Sequence, residues 1–178
     1  MNKAQLKYLL FVTKPYSFSI LEPIQETINE LNWGTAKWFM ASSAKNYSCS
    51  GEQLKANEDV LAYGPDAVLV PGNVVPHFWP GLKVQIFHGL DEEVKGFYTI
   101  TGFFDLYCTT GPVMTEKFSA IAEQKKHFLV RETGWSKLDP VFNKQWDFSN
   151  QKKQLIKQYG FNPELPVILY APTFPPKY

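Results

Sequence analysis

The stretch "KVQIFHG", residues 83–89, runs through apolar, strand-prone side chains and stops on a histidine and a glycine; an acid-rich segment beginning Leu90-Asp91-Glu92-Glu93 follows. Its length and glycine stop fit a strand buried on both faces rather than an alternating half-exposed one. The same design recurs along the chain. "LKYLLFVT" (6–13), "TAKWFMA" (35–41), "DAVLVPG" (66–72), "FDLYCTTG" (104–111), "HFLVRETG" (127–134) and "PVILYAPTF" (166–174) are short apolar runs, three of them closed by glycine. Between them lie helical patterns. Residues 19–33 place Ile20, Leu21, Ile24, Ile28 and Leu31 on one face, with Ser19 and Glu22 spaced as a capping box, Pro23 early and Gly34 as a stop. A short helix is expected around 52–62, another over 112–126 opened by Pro112, and a third over 149–160 between Ser149 and Gly160. Strand and helix alternate throughout. The expected class is α/β: a Rossmann-like parallel sheet with helices on both faces.

Composition narrows the function. A chain of 178 residues suits one domain, or one domain and part of another. The net charge is +1, and Arg131 is the single arginine. A nucleic-acid reader needs a concentrated basic face with arginine forks, so nucleic acid is not an expected partner. Residues 112–160 hold nine Lys/Arg against five acids, a net of +4. Such a surface could rest against an anionic membrane or polymer, although a solvated face is the default meaning of such a run. Cys49 and Cys108 lie far apart and offer neither a disulfide framework nor metal-ligand spacing. No apolar stretch approaches the ~20 residues needed to cross a bilayer, and no signal peptide is evident, which gives a cytoplasmic expectation.

In open parallel sheets, ligands bind outside the carboxyl ends of the strands. Here those ends are Pro71-Gly72, His88-Gly89, Thr110-Gly111 and Thr133-Gly134. Glycine lets a ligand approach the backbone and exposes amide N–H groups, and the helix after Gly111 directs its positive end to the same edge. That favours a small molecule bearing phosphate. Neither GxGxxG nor GxxxxGK[ST] is present. His88 is the strongest candidate for chemistry, because imidazole titrates near neutral pH and serves as a general base. His77 lies in the aromatic, proline-rich loop 73–81, and His127 begins a strand away from the carboxyl edge.

Four stretches in order, "VPHFWPGLKVQIFHGL", "FFDLYCTTGP", "ETGWSKLDP" and "VILYAPTF", make the chain resemble the CDP-glycerol glycerophosphotransferases across most of residues 65–174. These enzymes build poly(glycerol phosphate) polymers of the teichoic-acid type. The resemblance implies a GT-B fold, two Rossmann-like domains facing across a cleft, with this chain forming the N-terminal half. It implies His88 as catalytic base or phosphate contact. Gly72 and Gly89 belong to the binding edge by their place at strand ends, Thr110 and Gly111 line the cleft, and Gly134, Lys137 and Asp139 match a Gly-x-x-basic-x-Asp motif. The Tyr170–Thr173 run matches the first strand of the donor-binding domain. The implied domains are 1–147 (acceptor side), 148–165 (helix and linker) and 166–178 (opening strand of a second domain otherwise missing), so the isolated chain is expected to be inactive. The implied partners are CDP-glycerol as donor substrate, with no cofactor, and a polymer or lipid-linked acceptor, with peripheral contact on the inner face of the cell membrane. No Asp-x-Asp carboxylate pair is present, so catalysis without a metal is expected. Two departures stand out. The family's His-Gly is followed by Thr-Pro and a lysine pair, whereas here Leu90, Asp91, Glu92 and Glu93 follow with Lys95 alone; and Ser136-Lys137 replaces Pro-Arg, which keeps the charge but loses the forked donor. Two other enzyme classes share the architecture, GT-B sugar transferases and nucleotide-sugar 2-epimerases. A non-catalytic module binding through loop 73–81 is the reading from a different class.

Overall fold

The computed structural model describes residues 5–89, 98–143 and 147–171. Seven strands form one sheet: β1 (Leu6–Val12), β2 (Gly34–Met40), β3 (Gln53–Leu54), β4 (Ala67–Val70), β5 (Leu82–Ile86), β6 (Leu106–Thr109) and β7 (Leu129–Glu132). Their order is β3-β2-β1-β4-β5-β6-β7, and every pairing is parallel. The expected Rossmann-like α/β arrangement is therefore present. The chain winds outward from β1 to β2 and β3, then returns to the other side of β1 at β4. That reversal makes the gap between β1 and β4 a topological switch point.

The continuous apolar runs are explained by two cores, one on each sheet face. On one face, Leu10, Val12, Leu69, Val84 and Ile86 pack with Phe18, Ile20 and Leu21 of α1 (Phe18–Glu30). On the other, Leu9, Phe11, Val68, Val70, Phe87 and Tyr107 meet Val60 of α2 (Asn57–Tyr63), and Met114 and Phe118 of α3 (Pro112–Lys125). Trp79 of the aromatic loop is buried in this second core, edge-on to Phe11 and Phe39 at 5.0 and 4.9 Å.

Several local expectations need correcting. The first helix begins at Phe18 with Ser17 as N-cap, and the Ser19 hydroxyl donates to Tyr16 O at 3.0 Å, so no Ser19/Glu22 capping box forms. That helix is stopped by Asn32 in the left-handed region (φ 50), with Trp33 N–H closing back on Ile28 O at 3.0 Å. Gly34 instead opens β2. A Cβ there would fall 1.9 Å from Leu6 O, so close strand packing, and not a helix stop, demands the glycine. Residues 53–54 are strand and the second helix starts only at Asn57; the Asp59 carboxylate accepts N–H bonds from Lys55 and Ala56.

The chain divides into two compact units, Met1–Pro140 and Val141–Tyr178. A short helical turn, α4 (Asp139–Phe142), falls at the division. In the second unit α5 (Phe148–Tyr159) is capped by Asp147, whose side chain accepts from Asn150 N–H, and Ser149 is not the cap; Gly160 ends the helix at φ 67 as expected. Residues 166–171, expected as strand, run without strand pairing; 172–174 lie outside the described residues. A strand is defined by a hydrogen-bonded neighbour, and this segment has none among the described residues. No helix among the described residues is long and apolar enough to cross a membrane.

Candidate functional site

The site is assembled where β1, β4 and β5 end. His88 follows β5, half-buried, and its Nδ1 lies 2.8 Å from Pro71 O at the end of β4. A carbonyl can only accept, so Nδ1 carries the hydrogen, and in the neutral ring the basic lone pair belongs to Nε2. Tyr16, in the 3₁₀ turn after β1, lays its ring against the imidazole with centroids 5.2 Å apart and planes 28° apart. Burial pushes the Tyr16 hydroxyl above its ordinary pKa. Pro71 O also lies 3.4 Å from Nε2 of Gln85, a buried polar residue on β5. Gly72 closes the ring of strand ends, since a Cβ there would stand 3.4 Å from Thr13 Oγ1. His88, Gly72 and Gly89 thus share one place, beside the switch point. Leu90, Asp91, Glu92, Glu93 and Lys95 lie outside the described residues.

Thr110 and Gly111 sit further along the same edge, between β6 and α3. Thr110 Oγ1 reaches Met114 Sδ at 3.6 Å. Gly111 is the N-cap of α3 with extended backbone, and a Cβ there would meet nothing within 4 Å. The Thr115 hydroxyl near the start of α3 is 2.8 Å from Gly111 O, 2.8 Å from Glu132 Oε2 and 2.6 Å from Thr109 Oγ1. A carboxylate therefore already stands in the field of this helix N-terminus. A phosphate would meet repulsion there, contrary to the expectation drawn from the glycine and the dipole.

The remaining predicted residues lie beneath α1. A groove of about 540 Å³ is lined by Ile24, Trp33, Ile86 and Cys108 on its apolar side and by Thr133 and Asp139 on its polar side. Gly134 borders it at φ 78, a left-handed conformation that favours glycine. Burial raises the Asp139 carboxyl above its ordinary pKa and also raises the Cys108 thiol, the latter opposed by a hydrogen bond with Thr133. Lys137 does not line this groove; its ammonium lies over the Trp135 ring at 5.3 Å. One connection joins the two places. Trp135 Nε1 donates to Phe87 O at 2.9 Å, next to His88, while Ser136 Oγ donates to Ile20 O at 2.6 Å.

Sequence reasoning missed Tyr16, Gln85 and Glu132. Gln85 had a usable signal, a polar residue within an apolar run. Tyr16 and Glu132 had none, because their contacts come from strand order. Among the described residues no cluster of three His, Cys, Asp or Glu could hold a metal ion. No family model, no curated protein and no solved structure matches the chain. The four motifs are thus the whole basis of the family resemblance.

Proposed function

We propose that this chain carries the acceptor-side half of a GT-B transferase of the CDP-glycerol glycerophosphotransferase type, with His88 as its base. The observation that carries this reading is the His88–Pro71 contact at the carboxyl edge, which commits Nδ1 as donor and leaves Nε2 as the basic nitrogen. In the reaction Nε2 takes the proton of an acceptor hydroxyl. The acceptor oxygen bonds to the β-phosphorus of CDP-glycerol, the bond from that phosphorus to the oxygen of CMP breaks, and CMP leaves. The donor is held by a second α/β half. Two features near the end of β1 suit phosphate on the acceptor: Lys14 precedes the turn that holds Tyr16, and the first turn of α1 carries no acid. The Glu132 carboxylate disfavours phosphate at α3, so the anionic acceptor lies on the β1/β4/β5 side.

Calorimetric titration of the chain with a short glycerol phosphate oligomer tests the reading. Binding should weaken with salt, and His88→Gln should weaken it about fivefold, the worth of one neutral hydrogen bond. Uncharged polyglycerol of equal length should not bind. Equal binding of both polymers, or binding indifferent to His88→Gln, contradicts it.

A further inference from the structure

We propose that the groove beneath α1 is a binding site for an organic cation: an ammonium group held by the Asp139 carboxylate, with its apolar body laid along Ile24, Ile28, Trp33 and Ile86. The proposal goes beyond the transfer reaction and does not rest on the role of His88. Its starting point is the sheet. Parallel strands are ordinarily covered on both faces. On β6 the two faces differ: Tyr107 is buried in the core that α3 joins, whereas Leu106 and Cys108, which pack toward the α1 side, are only half-buried. Leu129, paired with Leu106 from β7, is 63% exposed. The groove opens where the cover given by α1 ends, with Ile86 of β5 and Cys108 of β6 on the sheet side and Ile24 and Ile28 on the helix side. Its volume of about 540 Å³ suits a small organic molecule.

Charge decides which molecule. The hydroxyls that line the groove are already engaged. Thr27 Oγ1 donates to Pro23 O at 2.9 Å, Ser136 Oγ to Ile20 O at 2.6 Å and Thr133 Oγ1 to Gly134 O at 3.3 Å. The Asp139 carboxylate, by contrast, has no hydrogen bond or ion pair among the described residues. Lys137, two residues before it, holds its ammonium over the Trp135 ring at 5.3 Å, and the Arg131 guanidinium donates to Val130 O at 2.9 Å. Burial is the one cause that moves the Asp139 pKa, and it moves it upward, as befits a carboxylate beside apolar walls with no donor to answer it. An anionic ligand would add like charge here, and an uncharged one would leave the carboxylate unanswered. An ammonium supplies both the opposite charge and N–H donors. Trp33, 57% exposed, adds an aromatic face to the lining, which also favours a cation.

The test is titration of the ¹⁵N-labelled chain with three molecules of one shape: phenylbutylammonium, phenylbutanol and phenylpentanoate. Phenylbutylammonium should bind with a Kd on the order of millimolar, as a fragment of this size does, and should move the amides of Ile24, Ile28, Gly134 and Asp139. Phenylbutanol should bind about five- to tenfold more weakly, the worth of one charge-assisted contact at a half-buried carboxylate, and phenylpentanoate more weakly still. Asp139→Asn keeps the shape and removes the charge. It should bring phenylbutylammonium and phenylbutanol to within about twofold of each other. Thr27→Phe, at an exposed position of α1 that lines the groove, should weaken both alike. Neither position is part of the core, so both variants should keep the wild-type amide spectrum away from the groove. Absence of binding, equal binding of phenylbutylammonium and phenylbutanol by the wild type, or tighter binding of phenylpentanoate overturns the proposal. So does a preference for phenylbutylammonium that survives Asp139→Asn, or a set of shifts gathered outside the groove.

Discussion

Strand β5 carries a basic side chain near each end, and the two are put to opposite uses. Lys83, near the amino end, is buried, and its ammonium is spent on the main chain, donating to Trp79 O and Gly81 O while its backbone N–H bonds the Asp105 carboxylate. Burial lowers its pKa, with Asp105 opposing. His88, beyond the carboxyl end, is half-buried and has its Nδ1 engaged by a carbonyl and its ring by Tyr16. The contrast teaches that a titratable group in an apolar run says little by its identity alone. What decides is whether the fold consumes its polar atoms in holding loops together or orients them at the edge where parallel sheets bind ligands.

The comparison can be broken at either end. The largest effect is expected at Lys83. Lys83→Ala takes the donor from the Trp79 carbonyl, which is buried, and from that of Gly81, and should cost about 2–3 kcal/mol in urea denaturation, with ligand binding by the folded protein unaltered. A cost near zero would mean the lysine is no structural clamp. Gly134→Ala comes next. At φ 78 an alanine is strained and should cost about 1 kcal/mol, whereas Gly111→Ala, extended and facing open space, should stay within about 0.5 kcal/mol. Reversal of that order would place the demand for glycine at α3 instead. His88→Gln should change stability by about 1 kcal/mol or less, since the position is only half-buried and glutamine keeps a polar side chain there. A cost as large as that of Lys83→Ala would make His88 a structural residue.

The smallest effect is a pH dependence. The folded pKa of Lys83 lies below its unfolded value, so the charged form is penalised by folding. Its contribution to stability is fully present above the ordinary lysine value of 10.5 and is lost as the pH falls through the lower folded value. Wild type should therefore gain stability on the alkaline side relative to Lys83→Met, in midpoints measured from neutral pH upward. Parallel curves would show that the ammonium is not desolvated.

Much of this could be read from residue order. Six of the seven strands, and three of the helices, follow from apolar runs of strand length alternating with 3.6-residue periodicity. The carboxyl-edge position of His88 follows from the same alternation. The misread points have a physical pattern. Ser19 and Ser149 have the chemistry of caps, but α1 follows a helical Ser17 that makes no side-chain cap bond and α5 is capped by Asp147, because the path of the preceding turn decides which polar side chain can reach the free N–H groups. Gly34 looks like a stop but is required by the approach of Leu6 O, a contact between strands distant in sequence. Gln53–Leu54 is too short to leave a periodic signal. At the site, Pro71 acts through its carbonyl, which no side-chain pattern reveals, and the Glu132 carboxylate beside α3 is placed there by the β6–β7 pairing.

The most direct test of the difference between the two ends of β5 is a ligand map. Amide and ring resonances of the labelled chain are followed while a glycerol phosphate oligomer is added. Shifts should gather at Lys14, Tyr16, Gly72, His88 and Gly89 and leave Gly81, Lys83 and Asp105 unmoved. Shifts centred on the Lys83 end, or spread evenly over both, would contradict the assignment of chemistry to the carboxyl edge.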